Sequence, residues 1–294
     1  MDNRSEIRDF LTSRRAKITP GVAGLTSYGT RRVPGLRRAE VAQLAGVSIE
    51  YYSRLERGNL SGVSESVLDA LARALYLDDA ERAHLYDLAR ASVTQARKRH
   101  RPAPQGVRRN VQRLLDAMAE SPAVIMNGRT DALAANQLGR ALFALVFADP
   151  IRPPNFARFT FLDIRARDFW IEWDRIADDT VELLRAQAGR DPYDKALTDL
   201  IGELATRSEE FRHRWAAHDV RLHRTGMKHF RHPVIGDLHL TYEVLELATD
   251  EGLSLVAYGT EPGTASEDGL RLLASWSATH DRDTADDAPI TSGE

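Results

Sequence analysis

Residues 39–59 read AEVAQLAGVSIEYYSRLERGN. Val41, Leu44 and Ala45 recur at helical spacing, and so do Tyr52 and Leu55. Between the two runs stands Gly46-Val47-Ser48. The glycine suits the left-handed position that ends a helix, the valine can plug the turn into a core, and the serine can cap the next helix. Small Ala42 lets the two helices approach closely. A helix, a tight turn and a second helix within about twenty residues is the arrangement that offers its second helix to a DNA major groove. With Tyr52 and Leu55 turned inward, the opposite stripe of that helix is Ile49, Glu50, Ser53, Arg54 and Arg57.

Outward from this segment every periodic run up to residue 94 is helical. Ile7, Phe10 and Leu11 mark a first helix, Leu68, Leu71, Ala72 and Leu75 a fourth, and Leu85 with Leu88 a fifth. Ser64 stands at an N-cap position, Asp78 with Glu81 imitates a capping box, and Gly58 is placed to end the third helix. Residues 1–94 are therefore expected to form an all-α domain. QARKRHRPAPQG, residues 95–106, joins a basic run to two prolines and is the expected linker.

Beyond the linker the pattern changes. A helix over 107–118 precedes two short apolar runs, AVIM and DALAAN, separated by the hairpin signal Asn127-Gly128. Helices follow over 136–147, 168–188, 192–206 and 208–218, then the strand-like runs GMKHFRHPVI, DLHLTYEVLEL and LSLVAYGT, and a last helix over 266–276. This order predicts an α+β domain over 107–280, with one five-stranded antiparallel sheet and its helices gathered on one side. DRDTADDAPITSGE, residues 281–294, has almost no large apolar residue and is expected to be a disordered tail.

The 294 residues contain no cysteine, which excludes disulfides, thiolate metal sites and cysteine nucleophiles. The opening MDNRSEIRDF lacks an apolar core, and no run of about 18 apolar residues occurs, so a soluble cytoplasmic protein without membrane insertion is expected. The net charge of -3 conceals a division: residues 1–101 carry 18 basic against 12 acidic side chains, and the remainder 22 against 31. A basic first third suits a polyanion. Arg31, Arg32, Arg37 and Arg38 add a basic patch beside the turn, with Arg37 and Arg38 at a helix N-terminus where phosphate contact is expected.

The order Glu40, Ala42, Gly46, Val47, Ser48, Tyr52, Leu55, Glu56, Gly58 resembles the lambda-repressor-like, or XRE-type, helix-turn-helix regulators. The resemblance implies base contacts from Ile49, Glu50 and Arg54. Phosphate contacts are expected from Arg37, Arg38, Ser48, Ser53 and Arg57, and Glu56 should pair with an arginine of the first helix, for which Arg15 is the candidate. WAAHDVR at 215–221, GMKHFRHPVIGDLHLTYE at 226–243 and YGTEPGTASEDGLRLLA at 258–274 are similar to the MmyB-like ligand-binding domain of bacterial, particularly actinobacterial, regulators. Together they imply an all-α helix-turn-helix domain followed by an α+β PAS-like domain with a five-stranded antiparallel sheet. The function implied is a DNA-binding transcriptional regulator, by default a repressor, whose C-terminal domain senses a small apolar or acyl-like molecule. A homodimer on a double-stranded operator follows from the few base pairs that one such helix reads.

Aromatic side chains gather in the second domain, where they can line a pocket or fill a core. The candidate ligand residues are Phe143, Trp170, Trp173, Tyr242 and Tyr258, with Trp215 and His218 three apart in the matching motif. Arg221 and His232 are further candidates for holding a carboxylate. His213, His218 and His223 are five apart, about 500° of helical turn, so they do not share a face as metal ligands would. No nucleophile elbow, P-loop, zincin or dinucleotide motif occurs, so neither an enzyme nor a cofactor is expected. The alternative to a sensor is a C-terminal domain that only dimerises the DNA reader and binds no ligand.

Overall fold

The computed structural model describes residues 3–25, 35–94, 106–216 and 225–286. The expected linker, its Gly106 apart, lies outside them, as do Arg31, Arg32, His218 and Arg221. The chain divides into two compact units, the first comprising Met1–Arg101 with Asp179–Leu222, the second Pro102–Asp178 with His223–Glu294.

The first unit opens with α1 (Asn3–Lys17), α2 (Arg38–Ala45), α3 (Ile49–Glu56), α4 (Glu65–Ala74) and α5 (Asp79–Thr94). Their ends follow the punctuation of the sequence. The Ser64 hydroxyl accepts from the Val67 backbone N–H, and Asp78 and Glu81 each accept from the other's backbone N–H, at 2.8 and 3.1 Å. Gly58 has φ +93°, and a Cβ there would overlap the Arg4 carbonyl, so only glycine lets α1 lie so close to the end of α3. Ile7, Phe10, Leu11, Val41, Tyr52, Leu55, Leu68, Leu71, Leu85 and Leu88 share one core. Each such side chain contributes roughly 1.5 to 3 kcal/mol by leaving water. Leu44, counted by its spacing among the buried positions, is instead exposed.

The second unit contains α6 (Arg109–Asp116), β1 (Ala123–Asn127), β2 (Ala132–Ala135), α7 (Gln137–Leu142), α8 (Ala144–Phe147), α9 (Phe156–Leu162) and α10 (Ala166–Phe169). The next helix, α11 (Trp173–Arg190), contains the boundary between the units, and α12 (Lys195–Arg207) and α13 (Glu209–Ala216) belong to the first. The division of the chain thus differs from a single break at the linker. The reason lies in α11: Trp173, Ile176 and Ala177 join the core of the second unit, and Ala186 joins that of the first. The second unit is completed by β3 (Thr225–His232), β4 (Gly236–Glu246), β5 (Leu253–Gly259) and α14 (Ala265–Asp286).

The five strands form one antiparallel sheet in the order β2-β1-β5-β4-β3. Alternation divides its faces. Val124, Val256, Tyr258, Leu238, Leu240, Tyr242 and Phe230 enter the main core with α7, α10 and α14, whereas Ala123, Ile125, Leu253 and Leu255 face Val111 and Leu115 of α6. Helices therefore cover both faces, a correction to the one-sided arrangement expected from element order. The expected helix over 136–147 breaks at Phe143, whose ring is fully buried among Phe156, Phe230 and Tyr258. The helix expected from 168 starts at Trp173, because Trp170 and Ile171 run alongside β3, the Ile171 N–H bonding the His229 carbonyl at 3.2 Å. Helix α9 was not anticipated. Helix α14 runs to Asp286, past its expected end at 276 and into the expected tail, since nothing between those positions is a glycine or proline.

Asn136 joins α7 to the sheet. Its Oδ1 accepts from the backbone N–H groups of Ala123 at 3.0 Å and Gly139 at 2.7 Å, and its Nδ2 donates to the carbonyls of Met118 at 2.6 Å and Ser121 at 2.7 Å. All four valences of a buried amide are filled, so Asn136→Ala strands four backbone groups at once. It is expected to cost about 3 kcal/mol in chemical denaturation; a loss near zero would contradict this role.

Candidate nucleic-acid interface and aromatic core

The turn between α2 and α3 is built as its residues demand. Gly46 takes φ +66°, and the Val47 N–H bonds the Ala42 carbonyl at 3.0 Å. The Ser48 hydroxyl accepts from the Tyr51 N–H at 3.0 Å, a cap worth about 1 kcal/mol. At the start of α2 the Glu40 carboxylate accepts from the Arg37 backbone N–H at 2.6 Å.

Helix α3 is held by Glu56, whose side chain is 1% exposed. Its Oε1 accepts from Arg15 Nε at 2.6 Å and from the Thr12 hydroxyl at 3.5 Å, and its Oε2 from Arg38 Nε. The expected partner Arg15 is thus in place, and it also donates to the Leu36 carbonyl at 2.8 Å. Arg38, assigned to phosphate by its position, shares the same carboxylate while its side chain stays 55% exposed. The Glu56 hydrogen bond and charge push its pKa further up. Glu56 thereby ties α1, α2 and α3 together.

The outer face of α3 carries the expected stripe. Ile49, Glu50, Arg54 and Arg57 are exposed and Ser53 half-buried, and Arg37 and Arg38 are exposed at the start of α2. The Arg54 guanidinium lies 4.7 Å from the centre of the Tyr51 ring, and Arg57 Nε donates to the Ser53 carbonyl at 3.1 Å.

In the second unit Phe143, Trp170, Trp173, Tyr242 and Tyr258 come together in one buried cluster. Phe143 meets Tyr258 at 5.3 Å between ring centres and Trp170 at 6.3 Å, and Trp173 Nε1 donates to the Thr160 carbonyl at 2.9 Å. Burial pushes the Tyr258 hydroxyl pKa up. A cleft of about 90 Å³ between α6, α7 and α14, lined by Met118, Asn136, Leu138 and Ala274 among others, lies apart from these rings. Trp215 belongs to the first unit, stacked on Phe211 at 5.5 Å.

The histidines are dispersed in role. His229 and His239 face each other across β3 and β4 with ring centres 4.3 Å apart, and His229 Nδ1 lies 3.3 Å from Glu172. No group of three or more metal-type side chains occurs among the described residues. His232, a candidate for holding a carboxylate, is buried with both nitrogens engaged by backbone: Nε2 with the Ala141 carbonyl at 3.2 Å and Nδ1 with the Val234 N–H at 3.2 Å.

Residues 6–85 match the family model of a helix-turn-helix domain, and residues 107–273, more than half of the chain, match the MmyB-like transcription regulator ligand binding domain. The chain belongs to this MmyB-like regulator family. It is a transcription regulator with a helix-turn-helix DNA-binding domain and a ligand-binding domain. No curated protein matches the regulator. Among the described residues no helix is long and apolar enough to cross a membrane.

Arg15→Met removes one of the two arginines that meet the buried Glu56 carboxylate and should lower the regulator's unfolding free energy by about 3 kcal/mol, as measured in urea; an unchanged midpoint would remove the anchor. Burial lowers the His232 pKa below its ordinary 6.5, so the unfolded chain takes up this proton before the folded one does. The His232 contribution is intact above about pH 6.5 and is lost as the pH falls through the folded-state value. His232→Gln should flatten the fall in stability that begins as the pH drops below about 6.5, and an unaltered slope would refute the assignment.

Proposed function

We propose that the regulator is a cytoplasmic homodimeric repressor that reads a two-fold symmetric operator with α3. The observation that carries this reading is the outer face of α3, where Ile49, Glu50 and Arg54 stand exposed on a helix fixed by the Ser48 cap and the Glu56 anchor. In it Arg54 holds guanine O6 and N7 as a bidentate pair, Glu50 accepts from a base amino group, and Ile49 packs on a thymine methyl. Arg37, Arg38, Ser48, Ser53 and Arg57 contact phosphates and set the register.

The C-terminal domain is assigned to a small apolar or acyl-like effector, with the cluster of Phe143, Trp170, Trp173, Tyr242 and Tyr258 as its binding region. Binding shifts the population between placements of the two DNA-reading helices in the dimer, so that their spacing matches or misses successive major grooves. No turnover and no cofactor belong to this reading. The close packing of the same rings favours a second reading, in which the domain only pairs two copies and binds no ligand. Native mass spectrometry of the full chain separates the two: a dimer that carries, or takes up, an acyl compound supports the sensor, and a dimer that takes up none supports pairing alone.

The DNA assignment is tested by selecting duplexes from a randomised pool. Arg54→Ala should weaken the selected duplex by about 1 to 3 kcal/mol and leave random DNA nearly unchanged. An equal loss on both would remove Arg54 from base reading.

A further inference from the structure

The second half of α11, with α12 and α13, lies within the stretch that matches the ligand-binding family, yet it packs in the unit of the first five helices. The centre of that packing is Arg185, whose side chain is 0% exposed. Its Nη1 donates to Glu6 Oε1 on α1 at 2.7 Å, its Nη2 donates to the Trp215 carbonyl on α13, and its guanidinium lies 4.2 Å from the centre of the Trp215 ring. Glu6 is itself buried, with His84 Nε2 of α5 at 3.8 Å. Around the pair, Ala186 joins the core formed by Ile7, Phe10, Leu85 and Leu88, and Arg190 Nε lies 3.5 Å from Asp87. At Gly189 the α11 backbone lies so close to His84 that a Cβ would overlap the imidazole.

A cation and a carboxylate both withdrawn from water fix a geometry closely, since parting them strands a charge in a medium that cannot solvate it. Glu6 is on the helix that also carries Arg15, and Arg15 holds Glu56 at the end of α3. Helix α1 is therefore tied by one buried ion pair to α11 and by another to α3. Packed interiors of this kind move between discrete arrangements rather than deforming continuously.

We infer that Glu6–Arg185 is a positioning contact for DNA recognition: α11 sets α1, and α1, through Arg15 and Glu56, sets how α3 presents Ile49, Glu50 and Arg54. The inference rests on the proposed DNA reading of α3. It places the second half of α11, with α12 and α13, as the part of the ligand-binding family's stretch that addresses the DNA-reading helix.

The test is amide hydrogen exchange, read by mass spectrometry, on full-length wild type, Arg185→Lys and the double variant Glu6→Gln with Arg185→Met. The double variant removes both charges of the pair together, and Arg185→Lys keeps the charge if the double variant does not fold. Exchange in α1 and α3 should quicken about tenfold in the double variant and by a smaller factor in Arg185→Lys, while α4 keeps its wild-type protection. Affinity for the selected duplex should fall about tenfold in the double variant with random DNA unchanged, and adding that duplex to wild type should slow exchange in the second half of α11. Faster exchange confined to α11, α12 and α13, with α1, α3 and DNA affinity as in wild type, would overturn the inference. If wild type selects no sequence, the DNA reading fails, and the exchange pattern in α1 and α3 still decides whether α11 sets them.

Discussion

One carboxylate carries more of this structure than its size would indicate. Glu56 is the last residue of α3 and is almost wholly withdrawn from water, so its charge must be met inside the protein. It is met from two directions, by Arg15 of α1 and Arg38 of α2. An apolar contact at this point would tolerate rotation of α3 about its own axis. Two charged hydrogen bonds to opposite oxygens of a planar group do not. A turn of α3 by even one residue would carry Arg54 and Glu50 away from the outer face, so the presentation of this exposed stripe depends on the buried pairing. The glycine at 58 brings the start of α1, at Arg4, against the end of α3.

The helical first third was legible because its signals are local. Ser48, Ser64 and the Asp78–Glu81 exchange act within one turn of themselves, and Gly46 and Gly58 declare a backbone conformation that other residues avoid. Strand positions in the second domain were legible for a similar reason, through alternation and through turns at Asn127-Gly128 and Gly252. What escaped sequence reading depends on distant partners. The break at Phe143 answers to rings from α9, β3 and β5, and the extended Trp170-Ile171 answers to β3, none of which a local period encodes. The place of α6 escaped too, since periodicity shows that a helix has an apolar stripe and not which face of the sheet receives it. Among site residues, the Glu56–Arg15 pair was legible from the order of motif residues. Arg185 gave no signal, because an arginine on a mixed helix reads as surface until Glu6 is seen beside it.

Buried polar groups fix the geometry of both units. In the first unit ionised groups fix the angles between helices, at Glu56 and at Glu6. In the second unit neutral groups work beside ionised ones: Asn136 joins α7 to the sheet with a filled amide and His232 is bonded to backbone, while the buried Asp131 and Asp250 carboxylates meet Arg129 at 3.1 Å and Arg108 at 2.7 Å. Charged anchors suit a module whose helix must meet a polyanion in one register.

Entry of α3 into a major groove, as proposed above, can be tested by chemical interference on the selected duplex. Dimethyl sulfate methylates guanine at N7 in the major groove and adenine at N3 in the minor groove. N7 methylation at guanines in two half-sites about 10 base pairs apart should abolish binding, while N3 methylation within those half-sites should not. Interference confined to adenine N3, or N7 methylation without effect anywhere in the site, would contradict it.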